Sequence, residues 1–291
     1  MPRPTSSKII LITGTSSGFG LRTAARLASR GHQVVATMRD PQKKEALLSE
    51  VKERGGDITV LPLDVCDPPT IDDAVREIGD RFGRIDILIN NAGIIIGGFF
   101  EDLTQDEIRQ VMETNFFGVQ NVTRAVLPLM RPQGAGKIIN ISSISGQYAS
   151  PAFGAYNASK WALEGFSESL YFELKPFGID VVLIEPGAYK TKIFRENRRV
   201  AQNFDNPESP YQEYSRSLSD YLDKKLADNY RDPEDIPRLI EKIVTARHPK
   251  FRYIPEIESR VLLGLRKYLP WGLYSRLVLK EVFKRRRENG E

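Results

Sequence analysis

The sequence predicts an α/β chain: a doubly wound parallel sheet with helices on both faces, in a single domain covering residues 1–291. Three observations predict it. Short apolar, β-branched runs alternate with longer amphipathic stretches through the first two thirds, the pattern of parallel strands with right-handed crossovers. The runs are apolar throughout rather than at every second residue, as strands covered on both faces must be. Glycines and polar residues collect at one end of each run, where open α/β sheets bind their ligands.

The first strand is expected over residues 8–13, and the helix after it over 19–30. Between them lies Thr13-Gly14-Thr15-Ser16-Ser17-Gly18-Phe19-Gly20. Glycines in a strand–turn–helix setting let the backbone approach a pyrophosphate, and the helix start offers it unpaired N–H groups. A tight turn with no ligand is the other reading. Further strands are expected over 33–38, 58–63, 85–90, 137–141 and 179–184, with helices over 41–54, 68–82, 104–130 and 155–177. The strand ends carry Arg39, Asp64-Val65, Asn90-Asn91-Ala92-Gly93, Ser142-Ser143 and Pro186-Gly187. The plan is that of a Rossmann-type dinucleotide-binding sheet. Residues 188–230, with Tyr211, Tyr214 and Tyr221, read as a helical flap over the site. A helix over 232–247, a last strand over 251–254 and a helical extension over 256–291 complete the chain.

The most informative pair is Tyr156 and Lys160, four apart on one helix face. A phenol titrates near pH 10, too high for work near neutrality. A fixed ammonium beside it favours the phenolate and so makes an acid/base. On an isolated amphipathic helix the same spacing is ordinary surface.

Composition excludes several classes. One cysteine, Cys66, rules out an internal disulfide, and the two histidines, His32 and His248, lie too far apart in sequence to suggest a metal site or a histidine dyad. No segment is long and apolar enough to span a bilayer, and the first apolar run leads straight into the glycine turn rather than ending as a leader. A cytoplasmic, reduced setting is expected, with peripheral membrane contact as an open option. The net charge of +4 is mild, but Lys280, Lys284, Arg285, Arg286 and Arg287 gather near the end. No motif supports nucleic-acid binding.

Taken together, Thr13-Gly14-x-x-x-Gly18-x-Gly20, Asn91-Ala92-Gly93, Asn115, Ser143, Tyr156, Lys160 and Pro186-Gly187-x-x-x-Thr191 resemble the short-chain dehydrogenase/reductases, single-domain branch. The glycine spacing differs from the GxxGxxG of the epimerase-like branch. Residues 162–191, and the pairing of 36–40 with 249–253, look similar to 17β-hydroxysteroid and retinol dehydrogenases.

The resemblance implies that Tyr156 exchanges a proton with a carbonyl or alcohol oxygen. Lys160 lowers its pKa and bonds the nicotinamide ribose, Ser143 bonds the substrate oxygen, and Asn115 holds a water in a relay to Lys160. A helix-interior amide bonded to backbone is the other reading of Asn115. Gly14, Ser16, Ser17, Gly18, Phe19 and Gly20 line the phosphates. Asp64 and Val65 flank the adenine, Asn91, Ala92 and Gly93 the adenosine, and Pro186, Gly187 and Thr191 the nicotinamide amide. Asp64 is alternatively a helix cap.

Met38 stands where NAD-linked relatives place an acid, and the planar fork of Arg39 suits a 2′-phosphate, so NADP(H) is expected over NAD. A lipophilic carbonyl substrate (steroid, retinoid or long-chain ketone) and a homodimer or homotetramer through helices 104–130 and 155–177 are further expectations. A small ketone, an acyl thioester or a non-catalytic NADP(H)-sensing role are the alternatives. Near the C-terminus, Trp271, Tyr274, Val278 and Val282 form an apolar stripe, which either packs on the domain as a roof or lies at a membrane interface.

Overall fold

Uninterrupted apolar runs need cover on both sides, and the computed structural model provides it. It describes residues 7–189, 199–216, 218–219 and 231–282. Strand β1 (Ile9–Ile12) leads through helix α1 (Gly18–Ser29) to β2 (Gln33–Met38), and α2 (Glu45–Glu53) leads to β3 (Ile58–Pro62). Helix α3 (Pro68–Phe82) crosses back to β4 (Ile87–Asn90). A two-residue strand β5 (Ile96–Gly97) precedes α4 (Gln105–Met112) and α5 (Gly118–Met130), which lead to β6 (Gly136–Ile141). Helix α6 (Gly154–Leu174) connects to β7 (Ile179–Ile184), and a second two-residue strand is β8 (Arg199–Val200). Helix α7 (Asp235–Thr245), strand β9 (Arg252–Tyr253) and helices α8 (Ile257–Tyr268) and α9 (Trp271–Val282) follow. Seven strands form one parallel sheet in the order β3-β2-β1-β4-β6-β7-β9. The order reverses at β1, the switch point at which such sheets open a crevice.

Alternate residues of each strand feed two cores. Ile10, Ile12, Val34, Ala36, Ile89, Ile139 and Val182 face α1, α2 and α7. Leu11, Val35, Leu88, Ile138 and Val181 face α3, α5 and α6. Glu234 and Glu241 on the α7 side hold Arg22, Arg26, Arg30 and Arg54, tying α7 to α1 and α2.

Four features differ from the sequence expectation. The helix over 104–130 is broken: α4 starts with a capping box between Thr104 and Glu107, then a π turn over Glu113–Phe117 inserts before α5. The helix over 41–54 opens as a 3₁₀ turn, Pro41–Lys44, because the Asp40 carboxylate accepts from Gln42 N and Pro41 fixes the first turn. Among the flap's described residues, Arg199–Val200 form β8, paired with β5 in a small parallel sheet, ahead of helical residues at 212–216. The helical extension begins as two helices divided at Pro270, which cannot continue the ladder of α8, and the stripe from Trp271 lies on α9 alone. Thr191, Phe194, Tyr221, Phe283, the Val282 side chain and the basic run 284–287 lie outside the described residues.

The glycine turn is fastened to β4. Gly14 and Gly18 take positive φ, +71° and +59°. Asn91 Nδ2 donates to the carbonyls of Thr13 and Gly14, both at 2.9 Å. Asn91 N and Ala92 N both donate to Thr13 Oγ1. A Cβ on Gly20 would lie 2.4 Å from both Asn91 Nδ2 and Gly14 O. Gly20→Ala is therefore expected to cost about 2 kcal/mol by overpacking and to lower the melting temperature by several degrees. Gly165→Ala, a helix position with nothing within 4 Å of the added methyl, should be neutral or stabilising in the same thermal melts.

Candidate active site

The residues read from the sequence converge at the carboxyl ends of β4, β6 and β7. Helix α6 carries Tyr156 and Lys160 one turn apart. Lys160 is only 5% exposed. Its Nζ donates to the Ile141 carbonyl at the end of β6 (2.9 Å) and lies 5.7 Å from the Tyr156 ring centroid. Ser143, just past β6, accepts from Ser145 N (3.1 Å), donates to Pro186 O (3.4 Å) and stands against the Tyr156 hydroxyl.

Asn115 sits inside the π turn, fully buried. Its Oδ1 accepts from Ile94 N (2.8 Å), and its Nδ2 donates to Ile94 O (2.9 Å) and Ser159 Oγ (3.0 Å). The π turn is what aims this amide into the site, a common use of such insertions. Gly93 leaves room for both neighbours: a Cβ there would lie 3.3 Å from Asn115 Oδ1 and 3.9 Å from Lys160 Nζ.

Helix α6 is fixed from several sides. Ser159 Oγ donates to Tyr156 O (2.7 Å), and Asn140 Nδ2 donates to Ser167 Oγ (2.9 Å). Asn90 Nδ2 extends that chain to Asn140 Oδ1 (2.9 Å). Just before the helix, Ala152 is left-handed (φ +61°), held where Gly98 N donates to its carbonyl (2.8 Å). Strain of this kind persists only where the surroundings impose it.

Burial governs the electrostatics. Desolvation pushes the Tyr156 phenol up to about 12, with Ser143 pulling it down and Tyr148 pushing it further up. Part of the Tyr156 side chain stays accessible, so this value describes the enclosed hydroxyl. Desolvation also brings Lys160 down to about 8, opposed by Glu164. The expected lowering of the tyrosine by the lysine is thus outweighed: the ammonium is bonded to Ile141 O beside the ring. Near neutral pH both groups hold their protons.

The cofactor-directed residues fit a dinucleotide. The α1 N-terminus carries no side-chain cap from Ser17 and no acid in its first turn, leaving its N–H groups open to an anion next to Ser16 and Gly18. Phe19 turns away from that cradle, its ring edge-on to buried Tyr189 at 5.3 Å, and so ties the glycine turn to the loop after β7. Gly187 N donates to Glu256 Oε2 (3.1 Å), and Gly187 is too close to Ser259 Oγ for any side chain. Asp64 is not the cap of α3, a place held by Asp67; its Oδ1 accepts from Cys66 N (3.0 Å). Val65 is buried against Gly118. Asn91 serves as the latch of the glycine turn. Arg39 is exposed and makes no ion pair or hydrogen bond among the described residues. The surroundings of Tyr156 are apolar: it packs against a cluster that holds Ile94, Ile96, Leu103, Val111, Ala155 and Phe204.

The short chain dehydrogenase family model matches residues 8–202. An uncharacterized oxidoreductase of Bacillus subtilis, YusZ, is 41% identical over 281 residues, covering 96% of this chain and 99% of its own. The 3-ketodihydrosphingosine reductase of Bacteroides thetaiotaomicron is 43% identical, covering 84% and 86%. Human retinol dehydrogenase 8 is 35% identical, covering 95% and 91%. Among solved structures, a short chain dehydrogenase/reductase of Burkholderia phymatum in complex with NAD superposes with a TM-score of 0.79 at 25% identity, covering 90% of this chain and 93% of its own. A metagenomic short-chain oxidoreductase in complex with NADP gives 0.68 at 26% identity, covering 87% and 99%. The chain belongs to the short chain dehydrogenase family. It is an oxidoreductase with that family's Rossmann-type sheet.

Sequence reasoning missed a charged cluster behind Lys160. Glu164 lies one turn further along α6, Glu185 just after β7, and Arg252 on β9. Arg252 pairs with Glu164 Oε2 and with Glu185 Oε1, both at 2.8 Å. Gln147 Nε2 donates to Glu185 Oε2. The 156–160–164 spacing along one ridge of α6 was a legible signal, since it puts a third polar group on the catalytic face. Burial raises Glu164, and burial together with the neighbouring carboxylate pushes Glu185 up to about 8. Carboxyls raised in the fold favour it fully below their ordinary value, and that favour is lost as pH rises through the folded value. Arg252→Gln removes the cation both share. Its cost should be small near pH 5 and about 3 kcal/mol near pH 8, read as a drop in melting temperature that grows with pH. A loss equal at both pH values would contradict the assignment.

Proposed function

We propose that the chain is an NADP(H)-dependent carbonyl reductase or alcohol dehydrogenase acting on a lipophilic substrate such as a long-chain ketone, a retinoid or a steroid. One observation carries the reading: a protonated phenol against apolar packing at the sheet edge, with Ser143 at its hydroxyl and Lys160 beside its ring. A nicotinamide bound across the glycine turn would supply or accept the hydride. The chain's own residues do the rest. Ser143 and Tyr156 hold the substrate oxygen between two hydroxyls, and Tyr156 gives that oxygen its proton in reduction. Lys160 keeps a positive charge beside the phenol and so stabilises the phenolate that proton donation leaves. Asn115, its amide already committed to Ile94 and Ser159, acts by holding α6 in register. The open α1 N-terminus with Ser16 and Ser17 would take the phosphates, and Gly93 and Gly187 would leave space for the ribose and nicotinamide.

The lipophilic reading is supported by the apolar surroundings of Tyr156 and by two relatives whose names specify a ketosphingoid and a retinol as substrates. The preference for NADP(H) is supported by Arg39, exposed and unpaired among the described residues, after the uncharged end of β2 at Met38. We also infer a homodimer or homotetramer through α4 to α6, where Phe117, Trp161 and Phe172 remain exposed.

A turnover screen over long-chain ketones, retinal, steroid ketones and small ketones, followed by NADPH absorbance, tests the reaction. Tyr156→Phe should lower turnover by about 10²–10⁴-fold with cofactor affinity retained; full turnover in that variant would end the reading. Arg39→Ala should raise the Michaelis constant for NADPH far more than that for NADH. Equal shifts would overturn the cofactor assignment alone.

A further inference from the structure

The C-terminal helices face the wrong way for an ordinary surface pair. On α8 the residues turned outward are Ile257, Val261, Leu265 and Tyr268, spaced four, four and three apart and 71%, 56%, 44% and 78% exposed. That spacing is one stripe of a helix. On α9, Trp271 is 70% exposed, and Leu273, Leu277 and Leu279 are about half exposed. The inward side is already occupied. Ser259 and Tyr274 are buried, and the Arg266 guanidinium lies over Trp161 at 5.6 Å and over Tyr274 at 5.9 Å. Of the stripe's two aromatic residues, Tyr274 is buried and Trp271 is exposed.

Charge says what would cover the outer face. Residues 257–287 hold nine Lys or Arg against two Glu, a net +7 in a chain whose total is +4, so all other residues together carry −3. Arg260, Lys267, Arg276 and Lys280 are exposed among the apolar side chains. Over α8 and α9 alone, residues 257–282, five Lys or Arg stand against two Glu, a net +3, so a second copy of the same face would bring like charge against like. An anionic bilayer surface matches both halves of the pattern: leucines, Trp271 and Tyr268 at the acyl boundary, and cations at the headgroup phosphates. No helix among the described residues is long and apolar enough to cross a membrane, so the pair would lie on the surface.

We propose that α8 and α9 form a docking face for an anionic lipid bilayer. The inner side of the same pair meets the helix that carries Tyr156 and Lys160, since Arg266 of α8 lies over Trp161 of α6. Docking therefore sets that helix on the lipid side of the chain. The proposal stands on exposure and charge, not on the identity of the substrate.

The test is sedimentation of the full chain with vesicles of phosphatidylcholine alone or with added phosphatidylserine, at low and high salt. Expected is binding to the anionic vesicles, weakened by salt, and a blue shift of Trp271 emission in a Trp161→Phe background. Leu265→Glu should cut vesicle partition at least tenfold, and Lys267→Glu with Arg276→Glu should abolish the preference for anionic lipid. All three variants should keep wild-type turnover of a water-soluble carbonyl compound, which separates this result from any failure of the reductase reading. Equal binding to neutral vesicles, binding untouched by Leu265→Glu, or an oligomer that Leu265→Glu dissociates while vesicles are ignored would each overturn the proposal.

Discussion

A buried ammonium is the constraint from which the rest of the site follows. Lys160 has almost no water, so its charge must be carried by fixed partners. One is the Ile141 carbonyl at a strand end. The others act over longer range: the tyrosine ring on one side and the Glu164 carboxylate, itself paired with Arg252, on the other. Moving the lysine would leave a cation with no counterpart. The helix that carries it is accordingly pinned through Ser159 to Asn115 and through Ser167 to the sheet. Rigidity here is a by-product of charge solvation, and it also places the phenol.

Much of this was readable without coordinates. Strand runs stood out because both faces are covered, and the bounds of β2 and β7 agree with the reading. The clustering of Gly14, Asn91, Gly93, Ser143 and Gly187 at one sheet edge followed from strand direction alone. What escaped was structure with no periodicity to betray it. A π turn leaves the apolar pattern of a helix almost intact. Two-residue strands such as β5 and β8 are too short to show a period. The partnership of Glu164, Glu185 and Arg252 joins residues far apart in sequence, so only topology brings them together. The tie between Asn91 and the glycine turn was not legible either, since its amide donates to the Thr13 and Gly14 carbonyls from the end of a strand far along the chain.

The family match ends at residue 202, yet the site does not. Arg252 neutralises the cluster behind Lys160, Glu256 holds Gly187, and Tyr274 lies beside Tyr148. The last fifth of the chain therefore supports the candidate site from beyond the stretch that the family model covers.

The π turn at Glu113–Phe117 has one more consequence. A helix advances about 100° per residue, so an extra residue in a turn offsets everything before it from everything after it. Here that offset separates the face by which α4 packs from the face by which α5 meets the sheet. Point replacements around Thr114 and Phe116 leave the phase untouched. Deleting one residue of the turn other than Asn115 would restore a regular helix and swing the Asn115 amide off Ile94. At this place the protein is tolerant of spelling and intolerant of length.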